Sequence, residues 1–317
     1  MTERQEYAPT GVERDPGLWA TLKRTFSEFQ EDNLTDWAAA LTYYGLLALF
    51  PALIATVSLL GLFGDPTSTT RSLTEIITDL GPESAAETFQ GPIEAVTADR
   101  GAAGAAFVLG LALAVWSASG YVGAFMRASN VIYETPEGRP FWKLRPLQLA
   151  VTLAMILLLV VLALGLVMTG PLLDAVAGPV GLSDTAVTVW SIAKWPAMAA
   201  IFLLMVAVLY YASPNVKLRG FRWVTPGSLV AIVVWVITSA LFAFYVANFG
   251  SYNETYGTLG GLIALLVWFW ISNLAILFGH QLNAELERSR EIEEGHPKAD
   301  REIQLEPRAE PNPPKTA

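Results

Sequence analysis

Three polar side chains recur at seven-residue intervals in an otherwise apolar run near the end of the chain: Asn273, His280 and Glu287, with Asn283 close by. At about 100° per residue they fall within roughly 80° of one another on a helix, so they make one stripe. Lipid cannot satisfy such groups, and a polar stripe on a membrane helix faces protein or water. Its chemistry is hydrogen bonding and, at His280, proton exchange near neutral pH. The competing reading of His280 is a histidine at the membrane boundary, about one turn away. A second concentration of donors and acceptors is the turn ANFGSYNETYG, where Asn248, Tyr252, Asn253, Glu254 and Tyr256 lie around Gly250 and before Gly257. It is either a tight turn closed by Asx bonds and glycines of positive φ, or a ligand contact. Tyr43 and Tyr44 in the first long apolar run, and Ser117 and Ser119 in the second, complete the candidates for cavity or substrate contact. Interfacial anchoring of the tyrosines, and bonding of the serines to their own helix, are the alternatives.

Groups that catalyse covalent chemistry are scarce. There is no cysteine, and the two histidines are His280 and His296, far apart in the chain. No H-E-x-x-H, G-x-x-x-x-G-K-[ST] or G-x-S-x-G occurs. The carboxylates in polar segments lack the clustering that holds catalytic metal ions. No catalytic residue, metal or cofactor is therefore expected, and the chain reads as a protein other than an enzyme. A net charge of −9 speaks against a nucleic-acid partner, which calls for clustered cations.

The elements that must position the stripe follow from composition. Of 317 residues, 53% are hydrophobic and 15% charged, the balance of an all-α polytopic membrane protein. Six apolar segments are long enough to cross a hydrocarbon core of about 30 Å. They lie at about 37–63, 102–128, 146–168, 185–211, 225–248 and 256–285. Lys and Arg number 4, 4, 3 and 6 in alternate polar segments, against 2, 0 and 0 in the others. Cations gather in cytoplasmic loops, so both termini are expected inside a cell membrane crossed many times.

Residues 1–36 read as a cytoplasmic tail ending in an amphipathic helix. Leu18, Trp19, Leu22, Phe26 and Phe29 share one side of it, to lie in the interface or to pack on the protein. Residues 64–100 form an acidic outer loop with seven carboxylates against Arg71 and Arg100. Residues 289–317 are acidic and proline-rich, with no apolar period, and are expected to lack structure.

Within the spans, Pro51 should kink the first helix. Gly120, with Ala124 and Ala128, allows close approach of a neighbour, as do Gly257, Gly260 and Gly261 before the last span. The third span has no ionisable group and reads as lipid-facing wall, and Lys194 near the outer end of the fourth is either a functional cation or one that snorkels. The partners expected are the lipid bilayer, an unidentified solute or lipid, and a second copy of the chain through small-residue helix faces.

Four runs carry a resemblance: LTYYGLLALFP, VWSASGYVGAFMRASNVIYE, RPFWKLR and, most specifically, YVANFGSYNETYGTLGGLIALLVWFWISNLAILFGHQLNAELER. Over about Trp37 to Arg288 the chain resembles the YihY/BrkB family of inner-membrane proteins. The resemblance implies a six-helix prokaryotic membrane protein of undefined activity, linked to the cell envelope and to export of a lipid or solute. It also implies that the family's old label, ribonuclease BN, is mistaken. Where family members often read G-A-E-L-N, this chain has Gly279, His280, Gln281, Leu282 and Asn283, so Gln281 replaces the usual carboxylate. Two functional expectations follow: a transporter or exporter of a solute or lipid, and a non-transporting scaffold for envelope machinery. Ribonuclease activity is the third and remote one.

Overall fold

The computed structural model describes residues 16–63, 100–167, 184–248 and 258–310. Among them are seven α-helices and no strand: α1 (Leu18–Glu31), α2 (Leu34–Phe63), α3 (Arg100–Ile132), α4 (Phe141–Val167), α5 (Asp184–Ala212), α6 (Pro226–Asn248) and α7 (Thr258–Glu293). Five of them, α3 to α7, contain stretches long and apolar enough to cross a membrane. Helix is the economical state for such segments, because it satisfies every backbone group without water. The start of α6 shows the local code. Thr225 Oγ1 accepts from the Ser228 amide at 3.1 Å, and Ser228 Oγ accepts from the Thr225 amide at 2.9 Å. This reciprocal cap leaves Pro226 at the first helical position, where its missing donor costs nothing.

Helices α2 to α7 follow chain order around a ring, each packed on the next and α7 closing on α2. The α2–α3 contact is the most extensive and the α5–α6 seam the thinnest. Small residues explain the first: Ala38, Ala124 and Ala128 are fully buried, and the Tyr44 ring lies 3.0 Å from where a Cβ of Gly120 would be. The large apolar side chains of the core, among them Leu34, Phe125, Ile132 and Leu277, crowd toward one end of the ring, termed basal here. That end carries α1, the 133–140 and 213–225 connections and residues 294–310.

Several sequence expectations change. Helix α1 docks on α7 by its polar side: Thr21, Arg24 and Thr25 are buried, whereas Leu18, Trp19 and Phe26 point outward and are 59–70% exposed. Charge and hydroxyls thus make much of the protein contact, joined from the apolar side by Phe29, whose ring lies 5.8 Å from that of Phe278. The segment expected to lack structure is ordered as far as Glu310 and folds back over the basal end. Pro307 pairs with Val216, and the Arg308 amide donates to the Asn215 carbonyl at 2.9 Å. Backbone donors and acceptors there, which hydropathy does not register, find partners in the 213–225 loop. Helix α4 is more than wall: Gln148 and Thr152 are buried, and Thr152 faces the interior of the ring. Gly261 meets nothing within 4 Å where a Cβ would point. The tight crossing lies instead at the basal end of the same helix, between Gly279 and Gly227 of α6. A Cβ on either would sit 2.0–2.3 Å from the other's carbonyl oxygen. Pro51, where a kink is expected, lies within α2. The expectations for the acidic loop, Tyr252, Asn253, Tyr256 and Gly257 fall outside the described residues.

Candidate functional site

Along α7 the polar residues stand at three levels. The uppermost borders a cavity of about 360 Å³ at the centre of the ring, to which all six of α2–α7 contribute. Asn273 is its most polar side chain. Its Oδ1 accepts from the Tyr121 hydroxyl at 2.8 Å, and its Nδ2 donates to Thr42 Oγ1 at 3.2 Å. Ser272 Oγ accepts from Trp235 Nε1 at 2.9 Å, and Thr152 Oγ1 donates to the Gln148 carbonyl at 2.7 Å. Among the described residues the lining contains no Asp, Glu, Lys, Arg or His. A neutral, self-bonded polar set in an apolar wall can shape and position a guest through hydrogen bonds.

Seven residues on, His280 is fully buried in a box of rings. Tyr210 stacks on it at 4.4 Å, with Tyr133 at 5.4 Å and Phe125 at 5.6 Å. Its Nε2 is 2.9 Å from Ser129 Oγ. The histidine is a floor to the cavity rather than part of its lining. Beside it the Gly227–Gly279 crossing is clasped by Asn283, whose Oδ1 accepts from the Gly227 amide and whose Nδ2 donates to Thr225 Oγ1, both at 2.9 Å. The Tyr210 hydroxyl donates to the Ile276 carbonyl, which ties α5 to the same crossing. Aromatic area and helix contact together close the basal side.

The lowest level is ionic. Glu285 and Arg288 are almost wholly buried. Arg24 Nε of α1 donates to Glu285 Oε2 at 3.0 Å, and Arg24 Nη2 donates to Ser289 Oγ at 2.6 Å. Arg288 donates to Glu28 at 3.0 Å and to Glu134. Its Nε lies 3.3 Å from Glu285 Oε1, facing it as a charge without hydrogen-bond alignment. Glu134 Oε2 also accepts from the Ile303 amide of the folded-back tail. Burial raises the Glu134 carboxyl above the usual range, against the pull of Arg288. At the α1–α2 corner, burial and then the carboxylates of Glu28 and Glu134 push Asp32 up to about 7.

Comparison with known proteins places this arrangement. Residues 25–304 match the family model described as Virulence factor BrkB. The chain is 34% identical over 277 residues to the protein named ribonuclease-like protein YfkH of Bacillus subtilis, covering 87% of this chain and 98% of that one. It is 27% identical over 270 residues to a UPF0761 membrane protein of Mannheimia succiniciproducens, covering 85% and 90%. A UPF0761 membrane protein of Aeromonas salmonicida is 25% identical over 292 residues, covering 89% and 93%. No solved structure matches. The chain belongs to the BrkB family. It is a multi-pass membrane protein.

In this BrkB-family chain the expected site residues separate. Asn273 lines the cavity, and Tyr44 covers Gly120 from the side. Tyr43 points outward, 59% exposed, with its ring edge-on to that of Tyr44. Ser119 is buried and donates to the Trp116 carbonyl of its own helix, and Ser117 is half-buried. Asn248 is exposed and donates to the Phe244 carbonyl one turn back. Lys194 is buried, its ammonium 5.3 Å from the Trp195 ring centroid. Tyr121, Thr42, Ser272 and Trp235 escaped the sequence reading. The signal that could have found Tyr121 and Thr42 is that each is polar in mid-run and must have a partner there.

Proposed function

We propose that this BrkB-family chain threads the membrane six times, with α2 as the sixth span and both termini in the cytoplasm. Its function, in this reading, is to carry a solute or lipid across the bilayer through the central cavity, without catalysing a covalent reaction. The carrying observation is the cavity itself: every helix of the ring supplies part of its wall. The alternation of cationic and cation-poor connections supports the orientation, with the basal end inside. The closed floor at His280 and Gly227–Gly279 supports a carrier whose cavity is shut toward the cytoplasm in this state.

Reconstitution in liposomes tests the reading. Flux or scrambling of a member of a substrate panel, reduced by Asn273→Leu, is the expected result. No flux from any member, together with stable capture of an envelope protein, would replace it with the scaffold reading. Single introduced cysteines test the orientation: in intact cells an impermeant reagent should label Asn253→Cys and spare Lys217→Cys.

A further inference from the structure

The wall of the cavity selects among cargoes. Its hydrogen-bonding atoms already hold one another: Tyr121 with Asn273, Asn273 with Thr42, Trp235 with Ser272. A sugar, amino acid or ion would surrender its water for the few donor and acceptor sites these pairs leave open, which is unfavourable. A hydrocarbon chain surrenders nothing of that kind. Met155, Met205 and Phe202 offer it polarizable, shape-adaptable contact, along with Ile156 and Leu159. An apolar cavity of about 150 Å³ stays dry and takes up benzene. This one, at about 360 Å³, has more than twice that room.

Among the described residues the side of the ring offers a gap. The basal side is closed by the His280 box and the Gly227–Gly279 crossing. Around the ring the thinnest contact is between α5 and α6. There Phe202 and Trp235 stack across the seam, centroids 5.2 Å apart and planes at 26°. Both line the cavity and both are half-buried. Two rings sliding apart expose no unpaired polar group as long as Trp235 keeps Ser272.

We propose that the cavity binds the hydrocarbon chain of a membrane lipid, admitted sideways between α5 and α6 past the Phe202–Trp235 pair. This rests on the six-span reading above and names the cargo class of the same cavity.

The test uses the full chain in liposomes doped with a phospholipid carrying a photoactivatable diazirine, either at mid-chain or in the headgroup, with adducts mapped by peptide mass spectrometry. The chain probe should label Phe202, Met205 and Trp235, and the headgroup probe should spare them. Ala118→Phe, which fills the cavity from α3, should cut that labelling several-fold while outward-facing Leu153 and Val233 stay labelled. Met205→Phe fills the same space from α5 and serves if the first variant does not fold. Phe202→Ala should speed cavity labelling. Equal labelling of the cavity in wild type and both filled variants would overturn the site. So would reaction of Ala118→Cys, in a chain without native cysteine, with an aqueous maleimide as fast as Lys217→Cys. Flux measured in the same liposomes keeps the two readings apart. Chain labelling without flux leaves the site and removes transport, whereas flux without cavity labelling does the reverse.

Discussion

Around Asn273 the buried polar groups of α7 are neutral and border the cavity. Around Glu285 and Arg288, about 18 Å further along the same helix, they are charged and border none. Both levels satisfy polar atoms away from water, yet their consequences differ. Neutral groups that bond one another, as Asn273 does with Tyr121 and Thr42, can be parted by leaving a hydroxyl or an amide without its partner. Opposite charges that hold one another cannot be parted without stranding one of them, so Arg288 with Glu28, Glu134 and Glu285 locks α1, α7 and the 133–140 connection into one plate. Parting the neutral level thus strands a hydroxyl or an amide, whereas parting the ionic level strands a charge.

The contrast can be broken most severely at the plate. Arg288→Met should destabilise by about 3–5 kcal/mol, because Glu285 loses one of its two cations in a site without solvent. Thermal denaturation in detergent would show it as a large fall in Tm, and an unchanged Tm would refute the lock. Next is Gly279→Ala. Its Cβ would lie 2.3 Å from the Gly227 carbonyl oxygen, so the helices must part, at about 1–3 kcal/mol. The same scan, with Gly261→Ala as the control that should be neutral or slightly stabilising, reads the difference. Asn273→Leu should cost less, about 1–2 kcal/mol, since one neutral hydroxyl loses its acceptor, and should lower flux more than stability.

A slope with pH sharpens the ionic side. The Asp32 carboxyl is raised to about 7, so between its unfolded value near 3.8 and that point the native state holds more protons than the unfolded one. Stability from this group therefore falls as pH rises from about 4 to 7 and stays low above. Asp32→Asn should raise Tm at pH 8, do little at pH 4, and flatten the profile between. A variant that tracks wild type at both pH values would remove Asp32 from the account.

The helices were legible because apolar runs of this length have few other stable states: α6 starts at Pro226 and α5 ends at Ala212, beside the breaks that composition marks. What the helices do to one another was less so. Gly261 belongs to a run with the spacing of a contact motif yet meets nothing within 4 Å, whereas Gly279, which no motif marks, sits against Gly227. His280 looked like a boundary residue because hydropathy measures distance from the run's end and is blind to the rings of Phe125, Tyr133 and Tyr210 that arrive from other helices. Glu285 stands where the last apolar run ends, yet it is buried, because Arg24 of α1 reaches over it and on to Ser289. In the cavity wall Asn273 was visible as a polar residue in lipid-like surroundings, whereas Tyr121 passed as one more aromatic.

The strap that runs from Ile303 to Ala309 bears on how such proteins are handled. Reporter enzymes and affinity tags are commonly joined to the end of a chain or in place of it. A fusion made after Glu293 would remove the donors that Ile303 and Gln304 give to Glu134 and Glu291, and the partner of Asn215 at Ala309. Low yield from such a truncated fusion would record the lost strap and not the topology it was built to map.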